Sequence, residues 1–344
     1  MSDEVSYAAA GVDIAAADAA IARIKPHVES TYRPEVLSNI GAFGSLVAVP
    51  AGYDEPILVS GNDGAGTKPA VAVAMNRYDT IGIDVVAMCV DDIATMGAEP
   101  LFFLDQITVG SVDPELIEEL VKGLAEGCRQ AGCALTGGEI AEHPGVMDKD
   151  DFDLAGFAVG VVERRNILDG TAVAPGDVIV GLASPGIRCN GYSLARKVLL
   201  EGVDIDTPAW PGADRSVGEE LLMPSVIYSP TIRGLIDAAE VHAAAHITGG
   251  GLPGNLVRVL ASNTDAVVER GSWEVPRVFR EIALRGPVAA AEMEKVFNLG
   301  VGMAVVVSKD SVDVALEAAR AGGHDAVVIG NIVEGSAQVR IEDR

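Results

Sequence analysis

The chain has 344 residues, 49% of them hydrophobic, and a formal net charge of −25 from 25 basic and 50 acidic side chains. That length suggests about two domains at roughly 150 residues each. The charge argues against a nucleic-acid partner, which needs a basic footprint, and no apolar run approaches the ~20 residues that cross a bilayer.

The opening Met1-Ser2-Asp3-Glu4 is acidic and lacks a secretory pattern, so a cytoplasmic protein is expected. Four cysteines, Cys89, Cys128, Cys133 and Cys189, form no C-x-x-C pair and read as reduced core residues. Only 7 of the 25 basic residues are lysine, which fits either a salt-adapted host or a GC-rich genome. An anionic substrate meets a repelling global field, so backbone N–H groups and metal must hold it locally.

Residues 13–24 carry a helical pattern. Lys25 follows it, either across a glycine turn or as a surface residue at the helix C-terminus. Residues 34–46, with Gly41, Phe43 and Gly44, read as a loop. Residues 57–60 form a short strand running into Gly61-Asn62-Asp63-Gly64-Ala65-Gly66-Thr67-Lys68. Gly64 and Gly66 let backbone N–H groups crowd an anion where a Cβ would intrude. Asp63 offers hard oxygens to a divalent cation, and Lys68 a point charge to a phosphate. The spacing is not that of a P-loop, and a plain solvated strand-to-helix turn is the alternative.

Residues 80–97 predict a helix with Asp84, Asp91 and Asp92 on one face. Three such carboxylates repel unless a cation or cationic partner joins them. A buried-type strand at 101–104 ends at Asp105. Asp113-Pro114-Glu115 supplies an N-cap, a first-position proline and a first-turn acid. The helix it starts keeps its apolar spacing through Cys128 and stops at Gly132. Residues 133–136 read as a strand entering a second glycine turn, Gly137-Gly138-Glu139, and 155–163 as another strand. Acids and glycines gathered at strand ends mark a ligand site in an α/β fold.

Residues 164–176 read as the connection to a second half that opens with a strand at 177–183. A loop at 184–194 enters a helix near Ser193, a surface loop spans 206–216, and a helix spans 229–239. His246-Ile247-Thr248-Gly249-Gly250-Gly251-Leu252 is a third glycine turn, and the short helix behind it suits a phosphate. His246 fits proton donation or charge stabilisation, or a structural histidine bonded to a backbone carbonyl. A strand at 301–307, a helix at 312–321 and strands at 326–329 and 338–341 follow.

Several segments together resemble one family. They are Ser6-Tyr7, Ala10-Gly11-Val12-Asp13, Asn62 to Lys68, Thr80 to Asp84, Val86 to Asp92, Gly97 to Asp105, Gly137 to Glu139, Asn190 to Leu194, His246 to Gly251 and Phe297 to Met303. Their order and spread are similar to the phosphoribosylformylglycinamidine cyclo-ligase, or aminoimidazole ribonucleotide synthetase, family. The resemblance implies a two-domain mixed α/β fold. Residues 1–168 would form an N-terminal domain carrying the ATP site and pairing in a homodimer through a shared β-barrel. Residues 169–344 would form an α/β sandwich domain. The implied reaction turns formylglycinamidine ribonucleotide and ATP into aminoimidazole ribonucleotide, ADP and phosphate. The formyl oxygen is activated by phosphoryl transfer before a substrate nitrogen closes the ring. Such transfer needs positioning and charge neutralisation above all.

Carried over residue by residue, the resemblance gives Asp63, Asp91, Asp92 and Glu139 to Mg2+. It gives Lys25, Gly64, Gly66, Thr67 and Lys68 to ATP, along with those acids. It gives Asn190, Thr248, Gly249, Gly250 and Gly251 to the substrate, and makes His246, Lys68 and Asp63 catalytic. Two departures stand out: Pro185, Arg188 and Cys189 interrupt a family Ser-Gly-x-His-Ser, and Ile140 replaces a threonine. Related enzymes fit less well. The first cysteine, Cys89, is too late for a selenophosphate synthetase, and Ile341-Glu342-Asp343-Arg344 lacks the cysteine of a hydrogenase maturation factor. A thiamine-phosphate kinase would lack the Asn190 to Leu194 pattern, and the related amidotransferase is much longer. A non-catalytic nucleotide-binding partner is the alternative from another class.

Overall fold

The computed structural model describes residues 13–343, so the segments Ser6-Tyr7 and Ala10-Gly11-Val12 lie outside the described residues. The first half runs α1 (Ile14–Glu29), β1 (Pro56–Gly64), α2 (Pro69–Met75), α3 (Ile81–Ala94), β2 (Glu99–Val109), α4 (Pro114–Ala131), β3 (Ala134–Glu142) and β4 (Phe152–Glu163). The second half starts with β5 (Val178–Ala183), α5 (Tyr192–Leu200), α6 (Val217–Leu221), α7 (Ser229–Ala238), β6 (Val241–His246) and α8 (Gly251–Leu256). It continues with β7 (Thr264–Arg270), α9 (Arg277–Arg285), α10 (Ala290–Val296), β8 (Val301–Val307), α11 (Val312–Ala321), β9 (Ala326–Glu334) and β10 (Val339–Asp343).

The first four strands form one sheet in the order β1-β4-β2-β3, antiparallel except for the β2–β3 pair. Helices α3 and α4 pack against one face. The other face stays open, with Leu58 60% and Phe157 41% exposed. Gly82 lets α3 and α4 touch at the backbone, because a Cβ there would lie 2.1 Å from the Leu124 amide nitrogen. The remaining strands form a sheet ordered β10-β7-β9-β5-β8-β6, antiparallel except for β7–β10. Residues of α7 and α11 pack in the apolar cluster on one face, and those of α8 in the cluster on the other. A third cluster is continuous from α3 and α4 into Ile187, Cys189, Tyr192 and Leu221, so apolar burial joins the two halves. No closed barrel forms among the described residues.

The architecture is the expected mixed α/β, and all four cysteines are buried and free. No described helix is long and apolar enough to cross a membrane. Three local readings are corrected. Strand β1 continues through Asp63 and Gly64, so the first turn starts at Ala65. The second glycine turn is strand interior, since β3 runs through Gly137, Gly138 and Glu139. Glycine serves close approach there, because a Cβ on Gly138 would meet Asp105 Oδ1 at 2.4 Å. Strands β6 and β7 escaped the pattern reading. In β6 the run Ala243-Ala244-Ala245 has no β-branched residue to mark it.

Candidate active site

Helix α3 is the spine on which the two halves meet. The repulsion foreseen among its acids is answered by a separate cationic or imidazole partner for each. Asp84 Oδ2 meets Lys68 Nζ at 2.6 Å as an ion pair, and Asp84 Oδ1 accepts from the Ser225 amide at 2.8 Å and its hydroxyl at 2.6 Å. Asp91 Oδ1 accepts from the amides of Tyr228 and Ser229, at 2.8 and 2.9 Å, where α7 begins. Its Oδ2 accepts from Arg188 Nη2 at 2.8 Å. Asp92 Oδ1 lies 2.8 Å from His246 Nδ1.

Four of the expected site residues make other contacts in this structure. Lys68 is fully buried, and besides pairing with Asp84 it donates to the Met223 carbonyl at 2.7 Å, so its amine faces the domain junction. Asp91 is equally buried, and its two oxygens accept from Arg188 and from the amides of Tyr228 and Ser229. Lys25 is exposed, 3.8 Å from Glu29 on its own helix, and that helix packs chiefly on α4 and β3. Glu139 lies on the opposite sheet face from Asp63. The register aligns Asp63, Gly156, Asp105 and Gly138 in one row, and Gly64, Ala155, Gln106 and Glu139 in the next. Among the described residues no three His, Cys, Asp or Glu side chains are grouped as a metal site.

Asp63, Asp92 and His246 do come together. Asp63 is half-buried, and its Oδ1 accepts from the Gly64 amide at 2.7 Å. Burial raises its pKa, and the Asp92 charge adds to this, while the Gly64 N–H and His246 oppose. The Asp92 side chain is 44% exposed, and a Cβ on Gly61 would sit 3.7 Å from its Cβ, so it lies over β1. Two acids that disfavour each other's charge, one with a solvent-facing carboxylate, suit a divalent cation completed by phosphate oxygens. Asp105, in the same row as Asp63, is pushed up to about 7, first by burial and then by Glu139.

The first and third glycine turns face the same loop. A Cβ on Gly66, at φ +59, would lie 3.4 Å from the Cys189 carbonyl, and Thr67 Oγ1 is 3.3 Å from Ser193 Oγ. On the other side, a Cβ on Gly249 would lie 3.7 Å from Asn190 Nδ2. Gly250 and Gly251 take φ values of +103 and +60, and a Cβ on Gly251 would strike the Glu294 carbonyl at 1.9 Å, so only glycine fits. Asn255 Nδ2 donates to the Gly251 carbonyl at 2.8 Å and fixes the third turn. Asn298 Nδ2 donates to the carbonyls of Gly186 and Ile187, at 3.0 and 3.2 Å, and fixes the loop that carries Asn190. An apolar cavity of about 420 Å³ behind Asn298, walled by Trp273, Phe279 and Phe297, contains none of the predicted site residues.

Sequence reasoning registered Arg188 only as a departure from a pattern. It is 2% exposed and sits at φ +67, a backbone region that costs a non-glycine residue about 1–3 kcal/mol. From there Nη2 reaches both Asp91 and His246 Nε2, the latter at 3.0 Å, and Nη1 donates to the Val226 carbonyl at 2.8 Å. Its guanidinium carbon lies 4.9 Å from the centroid of the Tyr228 ring. No local sequence signal announces such a convergence, because its partners come from α3, the end of β6 and the segment before α7.

Comparison with known proteins bears on this arrangement. Residues 48–162 match the family model of the AIR synthase related protein, N-terminal domain, and residues 174–342 that of its C-terminal domain. The phosphoribosylformylglycinamidine cyclo-ligase of Anaeromyxobacter sp. (strain Fw109-5) is 51% identical, covering 98% of each chain. That of Sorangium cellulosum is 51% identical over 96% of this chain and 95% of its own, and that of Myxococcus xanthus 49% over 97% of each. Among solved structures, thiamine-monophosphate kinase from Stenotrophomonas maltophilia K279a superposes with a TM-score of 0.71 at 22% identity, covering 94% of this chain and 96% of its own. Hydrogenase maturation protein HypE in complex with ATP gives 0.68 at 16%, covering 95% and 90%. These structures share the fold, whereas half-identity from end to end shows the lineage: the chain belongs to the phosphoribosylformylglycinamidine cyclo-ligase family.

Proposed function

We infer that the chain catalyses the ATP-dependent ring closure of formylglycinamidine ribonucleotide to aminoimidazole ribonucleotide, with release of ADP and phosphate. The observation that carries this is 51% identity to a cyclo-ligase along 98% of both chains. The meeting of two glycine turns on the Cys189 to Ser193 loop supports it. In this reading residues 1–168 carry the nucleotide half and 169–344 the substrate half. Backbone N–H groups of Gly66 and Thr67 cradle phosphate oxygens, since the nearby Lys68 amine is committed to Asp84 and the Gly64 and Ala65 amides to Asp63 and Leu154. Asp63 and Asp92 hold Mg2+. Held there with ATP, such an ion would supply charge neutralisation at the phosphate oxygens. Asn190 and the Thr248 to Gly251 turn hold the substrate ribose and phosphate, which fixes the attacking nitrogen beside the activated carbon.

The open sheet face with Leu58 and Phe157 is where two copies would pair, their four-stranded sheets closing a shared barrel in a homodimer. The enzyme would work in the cytoplasm. The test is ADP release measured with Mg–ATP, with and without formylglycinamidine ribonucleotide. Release that depends on this substrate and yields aminoimidazole ribonucleotide supports the assignment, and release indifferent to it removes the assignment. Saturating Mg–ATP should also raise the unfolding temperature by mass action.

A further inference from the structure

The contacts of His246 fix where its proton sits. Nε2 lies 3.0 Å from Arg188 Nη2, and Nδ1 lies 2.8 Å from Asp92 Oδ1. A guanidinium donates and never accepts. The two Nη2 hydrogens therefore go to Asp91 Oδ2 and to a bare lone pair on Nε2. The imidazole keeps its single proton on Nδ1 and gives it to Asp92. A histidine so placed has no free nitrogen for the substrate, and its side chain is only 2% exposed. The group at the end of the chain is the Asp92 carboxylate, 44% exposed beside Asp63.

Arg188 is held in place on all sides. Asp91 anchors one edge, Val226 the other, and the Tyr228 ring lies against its plane, while Nε has no partner. Leaving a buried N–H unpaired and the backbone at φ +67 is unfavourable. Both persist where the surrounding structure holds the fork on Asp91, His246 and Val226 at once.

We propose that Arg188 is a positioning residue. By donating to His246 Nε2 it sets the Nδ1–H tautomer, and His246 thereby aims Asp92 at the cleft between the halves. The chain Asp91–Arg188–His246–Asp92 runs from a buried anchor to an exposed carboxylate and crosses the domain junction twice. Its consequence for turnover rests on the function proposed above, whereas the tautomer itself does not.

The experiment is nitrogen NMR of the full chain carrying 15N-histidine, without nucleotide, with His246 assigned by comparison with His246→Gln. The expected wild-type signature is a bare Nε2 and a protonated Nδ1. In Arg188→Met the single tautomer should be lost and kcat for ring closure should fall roughly 10–100-fold, the usual effect of removing an outer partner. The KM for formylglycinamidine ribonucleotide should change little, because Arg188 touches none of its proposed binding groups. Arg188→Lys restores one donor and should recover part of both signals. A protonated Nε2 in the wild type overturns the proposal, even if Arg188→Met fails to fold. So does a folded Arg188→Met with an unchanged tautomer and kcat. A wild-type enzyme with the expected tautomer but no substrate-dependent ADP release would sink the assigned reaction and leave the positioning role standing.

Discussion

Replacing Lys68 by methionine separates the two roles open to this side chain. The amine and Asp84 are both fully buried and 2.6 Å apart. Methionine keeps most of the volume and removes the charge, leaving the Asp84 carboxylate with only the two Ser225 donors. Breaking a buried pair from one side costs about 3–5 kcal/mol. That is a large share of a net stability of roughly 5–15 kcal/mol. The double variant Lys68→Met with Asp84→Leu removes both charges and should recover much of the loss. It keeps a residual of about 1–3 kcal/mol, because the Ser225 amide loses its acceptor. Urea denaturation of the two singles and the double gives the coupling directly. The same proteins are assayed for the KM of Mg–ATP. A Lys68→Met protein within about 1 kcal/mol of wild type whose KM for ATP rises many-fold would refute the reasoning. It would return Lys68 to the phosphate.

Asp63→Asn and Asp92→Asn should each abolish substrate-dependent ADP release, and Asp63→Asn should leave the unfolding temperature unchanged or higher, since burial and the Asp92 charge disfavour its carboxylate; normal turnover in either excludes that carboxylate from the metal. Gly82→Ala should destabilise by about 1–3 kcal/mol or more in urea, because its Cβ would land 2.1 Å from the Leu124 amide nitrogen where α3 crosses α4. Burial lowers the pKa of His242, but Asp177 at 2.7 Å and Glu240 at 3.5 Å together outweigh it and leave the value raised. A raised folded-state value gives stability that is complete below the unfolded histidine value near ~6.5 and fades as pH rises through the folded one. His242→Gln should therefore lose stability at about pH 5.5 and match wild type at about pH 9; an equal loss at both would assign the effect to packing.

The fold was legible where local chemistry decides it. Asp113 and Pro114 start α4, and Gly132, in the left-handed region, ends it. The first and third glycine turns were legible as places where backbone comes close to something. What they approach was not: Gly66 faces the Cys189 carbonyl and Gly251 the Glu294 carbonyl, and each of those partners is far along the chain. Glycine marks closeness without naming the neighbour, which is why Gly137-Gly138 read as a turn and proved to be strand packed under Asp105. The acids of α3 show the same limit. Their shared face and their need for cations could be read at positions i, i+7 and i+8. That Lys68 would fold back on Asp84 depends on tertiary packing within the first half, and that Arg188 and His246 would meet Asp91 and Asp92 depends on how the second half docks.

That docking also bears on how so acidic a chain would hold a triphosphate. Lys68 and Arg188, the basic side chains buried at the junction, are committed to Asp84 and Asp91. Their charges serve to let two carboxylates enter a continuous apolar core. On the proposed reading the phosphates then meet no basic side chain from this helix face. Their negative charge falls to the backbone N–H groups of glycine turns and to an ion shared by Asp63 and Asp92. Such a grip depends strongly on the metal, since without it the phosphates and the two acids repel each other across the cleft. Nucleotide binding should therefore fall away when the divalent ion is chelated. Titration of ATP in the presence of excess chelator, followed by unfolding temperature, tests this. A stabilisation equal to that given by Mg–ATP would mean that a cation of the chain itself reaches the phosphates.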